Sequence, residues 1–66
     1  MEFKDILKDE RTKRGIKQTE LAEKIGVKQK DISRWETGER TPNIENLKKI
    51  CQALEVSADV MLGIKK

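Results

Sequence analysis

The chain has no histidine, no tyrosine, one cysteine, one proline and only two aromatic residues, Phe3 and Trp35. Without histidine there can be no His-based catalytic triad, no imidazole proton shuttle and no His-containing zinc site. The lone cysteine, Cys51, cannot close an internal disulfide, so the chain lacks the staples of small secreted domains. The longest apolar stretch, Val60 to Ile64, is broken by Gly63. It falls far short of the roughly 20 residues that cross a bilayer. No signal-like leader precedes the first periodic segment. A reducing, cytoplasmic setting with no membrane partner is the expectation.

Sixty-six residues make one domain, 1–66. A domain of this size buries only about 60% of the surface its unfolded chain exposes. That suffices for one small core, but not for a core plus an enclosed cofactor pocket of several hundred Å³. No cofactor and no metal are expected. Charged residues make up 41% of the chain, and the formal charge is +3. The excess is uneven: residues 1–10 hold two basic and four acidic groups, 11–40 hold nine and five, and 41–66 hold four and three. Positive charge thus gathers on the middle third, where a polyanion would be met.

All four glycines fall where a periodic apolar segment stops: Gly15, Gly26, Gly38 and Gly63. This is the place of the left-handed residue past a helix end. The spacing predicts five helices and no strand, near Glu2 to Arg14, Gln18 to Ile25, Gln29 to Thr37, Ile44 to Leu54 and Ala58 to Leu62. The first aligns Phe3, Ile6 and Leu7, the second Leu21, Ala22 and Ile25, and the third Ile32 and Trp35. The fourth aligns Ile44, Leu47, Ile50, Cys51 and Leu54, and the fifth offers Val60, Met61 and Leu62. Trp35 shares a face with Ile32 and reads as core rather than as a stacking platform for bases. Cys51, on an apolar stripe, reads as packing rather than redox chemistry. Asp9, Glu10, Glu20 and Glu23 form no convincing acid/base pair and read as solvated ion pairing worth a few tenths of a kcal/mol. No enzyme site can be assembled.

Asn43 and Ser57 are good N-caps for the fourth and fifth helices. The second and third have Lys17 and Lys28 at the cap, each with an acid three residues on, Glu20 and Asp31, that can reach back to the cap N–H. Ile16 with Leu21 and Val27 with Ile32 form hydrophobic staples. A cation at a helix start suggests that phosphate oxygens meet these starts with the lysines beside them; the alternative is two idle, solvated lysines.

Ile25-Gly26-Val27 supplies the short turn of a helix-turn-helix, with Gly26 at the bend and small Ala22 allowing close approach. With Ile32 and Trp35 inward, the helical step turns Gln29, Lys30, Ser33 and Arg34 outward. Gln can pair with adenine, Arg and Lys with the guanine edge, and Ser with several partners. The run Gln18-Thr19-Glu20-Leu21-Ala22, the Ile25-Gly26-Val27 turn, Ile32-Ser33-Arg34-Trp35-Glu36 and Gly38, then Pro42 and the spacing of Leu47, Ile50 and Leu54, together resemble one family. It is the helix-turn-helix family of the phage repressors and Cro, often called the XRE family. The resemblance runs from about Phe3 to Leu62.

It implies an all-α, compact five-helix fold of lambda-repressor-like type, and a transcriptional regulator, most readily a repressor. In that family's manner Gln18 would touch a phosphate, Gln29, Lys30 and Arg34 would read bases, and Lys28 would meet a base or phosphate. Thr37, Arg40 and Asn43 would follow the DNA backbone, and Arg11 would pair with Glu36. Lys17 departs from the family's usual Ser, Thr or Asn at that cap. The partner implied is double-stranded DNA, a pseudo-palindromic operator bound by a homodimer with half-sites about 34 Å apart. The apolar tail, Met61, Leu62 and Ile64, either closes the core or forms the dimer patch. The alternative from another class is a protein-interaction module, an antitoxin or adaptor on the same fold. The chain would be either a small complete regulator or the DNA-binding part of a longer one.

Replacing both Lys17 and Lys28 by Ser should stabilise the fold by about 1 kcal/mol per cap in thermal unfolding, while weakening duplex binding in a titration. Unchanged duplex affinity would remove phosphate from these helix starts.

Overall fold

Helix ends, more than helix interiors, organise this molecule. The computed structural model describes residues 2–64. Among them are five helices and no strand: α1 (Phe3–Lys13), α2 (Gln18–Ile25), α3 (Gln29–Thr37), α4 (Ile44–Leu54) and α5 (Ala58–Met61). Residues 15–21 and 26–32, GIKQTEL and GVKQKDI, are one device used twice. In each, a left-handed glycine (φ 67 at Gly15, 77 at Gly26) ends a helix. The next N–H then closes the last turn, from Ile16 to the Arg11 carbonyl at 3.2 Å and from Val27 to the Ala22 carbonyl at 2.9 Å. This geometry tucks the following apolar residue under the helix it has just left.

That same residue then anchors the next helix. Ile16 and Val27 pack on the core, and the residues five further on, Leu21 and Ile32, are fully buried. Between them Lys17 and Lys28 sit extended at the caps without any side-chain cap bond. Their N–H groups are satisfied instead by Glu20 Oε1 at 3.0 Å and Asp31 Oδ2 at 3.1 Å. Each helix start thus has half of a capping box, with the acid also favouring the positive helix end. Asn43 and Ser57 cap α4 and α5 through Oδ1 and Oγ, accepting from Asn46 N–H at 2.7 Å and Val60 N–H at 3.2 Å.

The core lies where these helices converge. α3 packs against α2 and α1, α4 against α2 and α5, and α5 returns to α1. Leu7, Leu21, Ile32, Ile50, Leu54 and Met61 have no measurable exposure, and Trp35 is also buried, beside Ile32 as its spacing requires. Cys51 is buried as well, and loss of water pushes its thiol pKa up, which disfavours the thiolate.

Three expectations need correction. α1 is a residue shorter at each end, because Glu2 serves as its N-cap and Arg14 as its C-cap. Ile44 does not join the apolar stripe of α4. It is 76% exposed and stands at the mouth of an open groove beside Leu47, Cys51 and Ala58. α5 stops at Met61, and only Met61 of the tail enters the core, leaving Leu62 and Ile64 exposed.

α4 ends without glycine. Glu55 adopts the left-handed conformation (φ 56, ψ 43), with Val56 N–H closing the turn on the Cys51 carbonyl at 3.0 Å. A side chain there costs about 1 kcal/mol, and a carboxylate beside the negative helix end adds to that. Glu55→Gly should therefore raise stability by about 1 kcal/mol, a shift of roughly 4–8 °C in thermal midpoint for a domain this size. No rise in the midpoint would contradict this account of the α4 terminus.

Candidate nucleic-acid interface

α3 buries one face and offers the other. Ile32 and Trp35 point into the core, while Gln29 and Lys30 are exposed and Ser33 and Arg34 are half-exposed on the opposite side. Lys28 stands exposed just before α3, and Thr37, Arg40 and Asn43 lie exposed along its far end and the loop to α4. Lys17 is exposed and Gln18 half-buried at the start of α2. Among the described residues Lys17, Lys28, Lys30 and Arg40 take part in no ion pair. Their charge is therefore available to a polyanion. Arg14 and Lys13, by contrast, are spent on Glu10 and Asp9 along α1. The guanidinium of Arg14 is the main reason the Glu10 carboxyl titrates below its usual range.

Beneath this face a buried polar chain fixes how it is presented. Arg11 of α1 donates from Nε to Glu36 Oε2 at 2.6 Å and from Nη2 to Glu36 Oε1 at 3.0 Å. Its Nη1 donates to the Ile16 carbonyl at 2.7 Å. The two side chains are only 10% and 3% exposed. The hydrogen bond to Glu36 raises the Arg11 pKa above the ordinary arginine value, so the guanidinium stays charged wherever the chain is folded.

The chain continues outward. Gln18 Nε2 donates to Glu36 Oε1 at 3.0 Å, and Gln29 Nε2 donates to Gln18 Oε1 at 3.1 Å. The direction is forced, because an ionised carboxylate can only accept. Gln18 must therefore turn its amide N–H inward and its oxygen outward. Gln29 then spends one Nε2 hydrogen on Gln18, keeping its second N–H and its Oε1. A donor and an acceptor side by side are what the major-groove edge of adenine takes.

The structure thus turns Gln29, Lys30, Ser33 and Arg34 away from the core on α3, with Lys28 exposed just before it, Gln18 bonded to Gln29, Lys17 exposed beside Gln18, and Thr37, Arg40 and Asn43 exposed at or beyond its far end. It also shows what several of them are already doing. Asn43 Oδ1 is committed to capping α4, which leaves its amide nitrogen to donate. The Thr37 hydroxyl donates to the Arg34 carbonyl at 3.1 Å. Arg34 Nε lies 3.2 Å from Glu39 Oε2. Reading the sequence residue by residue missed the Gln18–Glu36, Gln18–Gln29 and Arg34–Glu39 contacts. The one hint of the first two is that a glutamine opens both helices of the repeated device, which by itself names no partner. Among the described residues no group of three or more His, Cys, Asp or Glu side chains is placed to hold a metal ion.

This chain belongs to the helix-turn-helix family, whose pattern matches residues 7–61. It is similar to the HTH-type transcriptional activator BcrR of Enterococcus faecalis, 40% identical over 63 residues that cover 96% of this chain and 31% of BcrR. It is also similar to the cryptic phage CTXphi transcriptional repressor RstR of Vibrio cholerae, at 36% identity over 96% of this chain and 56% of RstR. The chain therefore spans less than two thirds of either relative. Among solved structures, the P22 c2 repressor in complex with synthetic operator 9T superposes with a TM-score of 0.92 at 34% identity, covering 98% of each chain.

Removing one partner of a buried, hydrogen-bonded ion pair leaves the other charge stranded, at a cost of about 3–5 kcal/mol. Arg11→Ala should lose stability of that order in urea unfolding, and any folded fraction should show altered Gln18 and Gln29 side-chain amide resonances. A loss below about 1 kcal/mol would mean the pair is solvated and does not fix α3.

Proposed function

We propose that this chain is a sequence-specific double-stranded DNA-binding domain of a transcriptional regulator that acts as a repressor, with α3 in the major groove. The observation that carries the reading is the outward face made by Gln29, Lys30, Ser33 and Arg34, with exposed Lys17, Lys28 and Arg40 that take part in no ion pair among the described residues. A helix with its side chains is about 10–12 Å across, which fits the roughly 12 Å width of a B-DNA major groove, and the nine residues of α3 reach ~14 Å along it. Gln29, Lys30, Ser33 and Arg34 contact base edges with Lys28 beside them. Lys17, Gln18, Thr37, Arg40 and Asn43 hold phosphates on either side.

The names and contents of the similar proteins support this reading: two regulators of transcription, and a repressor solved on an operator. Residues 1–66 act as one unit, by binding rather than by catalysis, in the cytoplasm; no helix among the described residues is long and apolar enough to cross a membrane. One α3 reads few base pairs, so two copies bind an operator of two-fold symmetry with half-sites about 34 Å apart.

Selection of bound duplexes from a random pool tests this directly, and it should return a symmetric pair of half-sites. Against the selected duplex, Arg34→Ala should weaken binding by about 5- to 150-fold, the range of one good side-chain-to-base pair. Affinity for an unrelated duplex should change far less. Equal loss on both duplexes would make Arg34 a phosphate contact, and no enrichment from the pool would refute the reading altogether.

A further inference from the structure

Among the described residues, Arg34 differs from Lys17, Lys28, Lys30 and Arg40 in forming a side-chain ion pair. Its Nε stands 3.2 Å from Glu39 Oε2, with the two side chains 41% and 62% exposed. The placement of Glu39 is built into the backbone. Gly38, at φ 84, turns the chain back on the end of α3. Arg40 N–H then reaches the Arg34 carbonyl at 3.2 Å. The Thr37 hydroxyl donates to that same carbonyl and accepts the Glu39 N–H at 3.4 Å. The chain on both sides of Glu39 is therefore tied to the turn that carries Arg34.

We propose that Glu39 is a specificity-determining residue that acts through Arg34, an inference that rests on the DNA-binding reading above. A carboxylate beside Nε offsets part of the charge of the guanidinium and occupies one side of it. A phosphate gains little from a cation already paired, and it is repelled by the Glu39 carboxylate next to it. The neutral O6 and N7 acceptors of guanine suffer no such repulsion. They need only the two Nη groups, which the pairing at Nε leaves able to donate side by side. Glu39 thus discounts sequence-independent attraction more than base readout. It raises the ratio of specific to non-specific affinity at some cost in total affinity.

The test substitutes Glu39→Gln, an exposed, nearly isosteric change. In the free protein the Arg34 Hε resonance should shift as the charge beside it is removed; an unmoved resonance overturns the proposal without any DNA. With the selected duplex and an unrelated duplex of equal length, Glu39→Gln should tighten binding to the unrelated one and reduce the ratio of affinities about 2- to 5-fold, the range of an exposed ion pair. The salt dependence on the unrelated duplex should steepen by about 0.9 in log K per log salt. In an Arg34→Ala background the same substitution should leave the ratio unchanged. A ratio that does not fall in the parent, or that falls equally in the Arg34→Ala background, overturns the proposal, because Glu39 would then be idle or merely a nearby negative charge. Failure of the unsubstituted chain to bind any duplex defeats the underlying reading instead, and is seen before any variant is made.

Discussion

Two charges withdrawn from water, the guanidinium of Arg11 and the carboxylate of Glu36, determine where α3 stands. Their contribution is positional more than energetic. Desolvating an ion pair costs about as much as its attraction returns, so a buried pair adds little net stability over an apolar replacement. The six side chains without exposure in the core, worth about 1.5–3 kcal/mol each in removal from water, are what hold the fold together. An apolar contact, however, tolerates sliding and rotation. A forked guanidinium holding both oxygens of one carboxylate does not. Arg11 also takes the Ile16 carbonyl, so the same side chain fixes the chain where α2 is about to begin.

From that fixed point the order passes to the surface through hydrogen bonds of forced direction. Glu36 orients Gln18, and Gln18 orients Gln29. A glutamine held this way has already given up part of its side-chain entropy, which for a free glutamine is up to about 2 kcal/mol. The lysine caps show the opposite exchange. Lys17 and Lys28 forgo a side-chain cap in favour of charge at the helix starts, and Glu20 and Asp31 recover part of the loss.

The bounds of α2, α3 and α4 were legible because each is marked at both ends by local chemistry: a staple and an acid at N3 for α2 and α3, an asparagine cap for α4, and Gly26 and Gly38 at two of the termini. The inward set Leu21, Ile32, Trp35 and Leu54 followed from helical spacing. Ile44 did not, because periodicity says which residues share a stripe but not how far a neighbouring helix extends along it; α4 opens beside an uncovered groove. Leu62 failed for a similar reason, since α5 ends before it and nothing covers it. The outward grouping of Gln29, Lys30, Ser33 and Arg34 was legible from the same period. The links among Gln18, Gln29 and Glu36 were not, because they join residues 11 and 18 positions apart through side-chain geometry that no spacing rule encodes. Glu39 was hidden by the left-handed turn at Gly38, which folds it back onto a helix it follows.

On the proposed function, one side of α3, with the start of α2 beside it, is the surface that meets DNA. Amide and side-chain resonances followed during titration with a selected duplex locate that surface without presuming a binding mode. The account predicts large shifts at Lys17, Gln18, Lys28, Gln29, Lys30, Ser33 and Arg34, and small ones along α4 and α5. Shifts centred on the groove by Ile44 and Ala58, with the outer side of α3 silent, would contradict it.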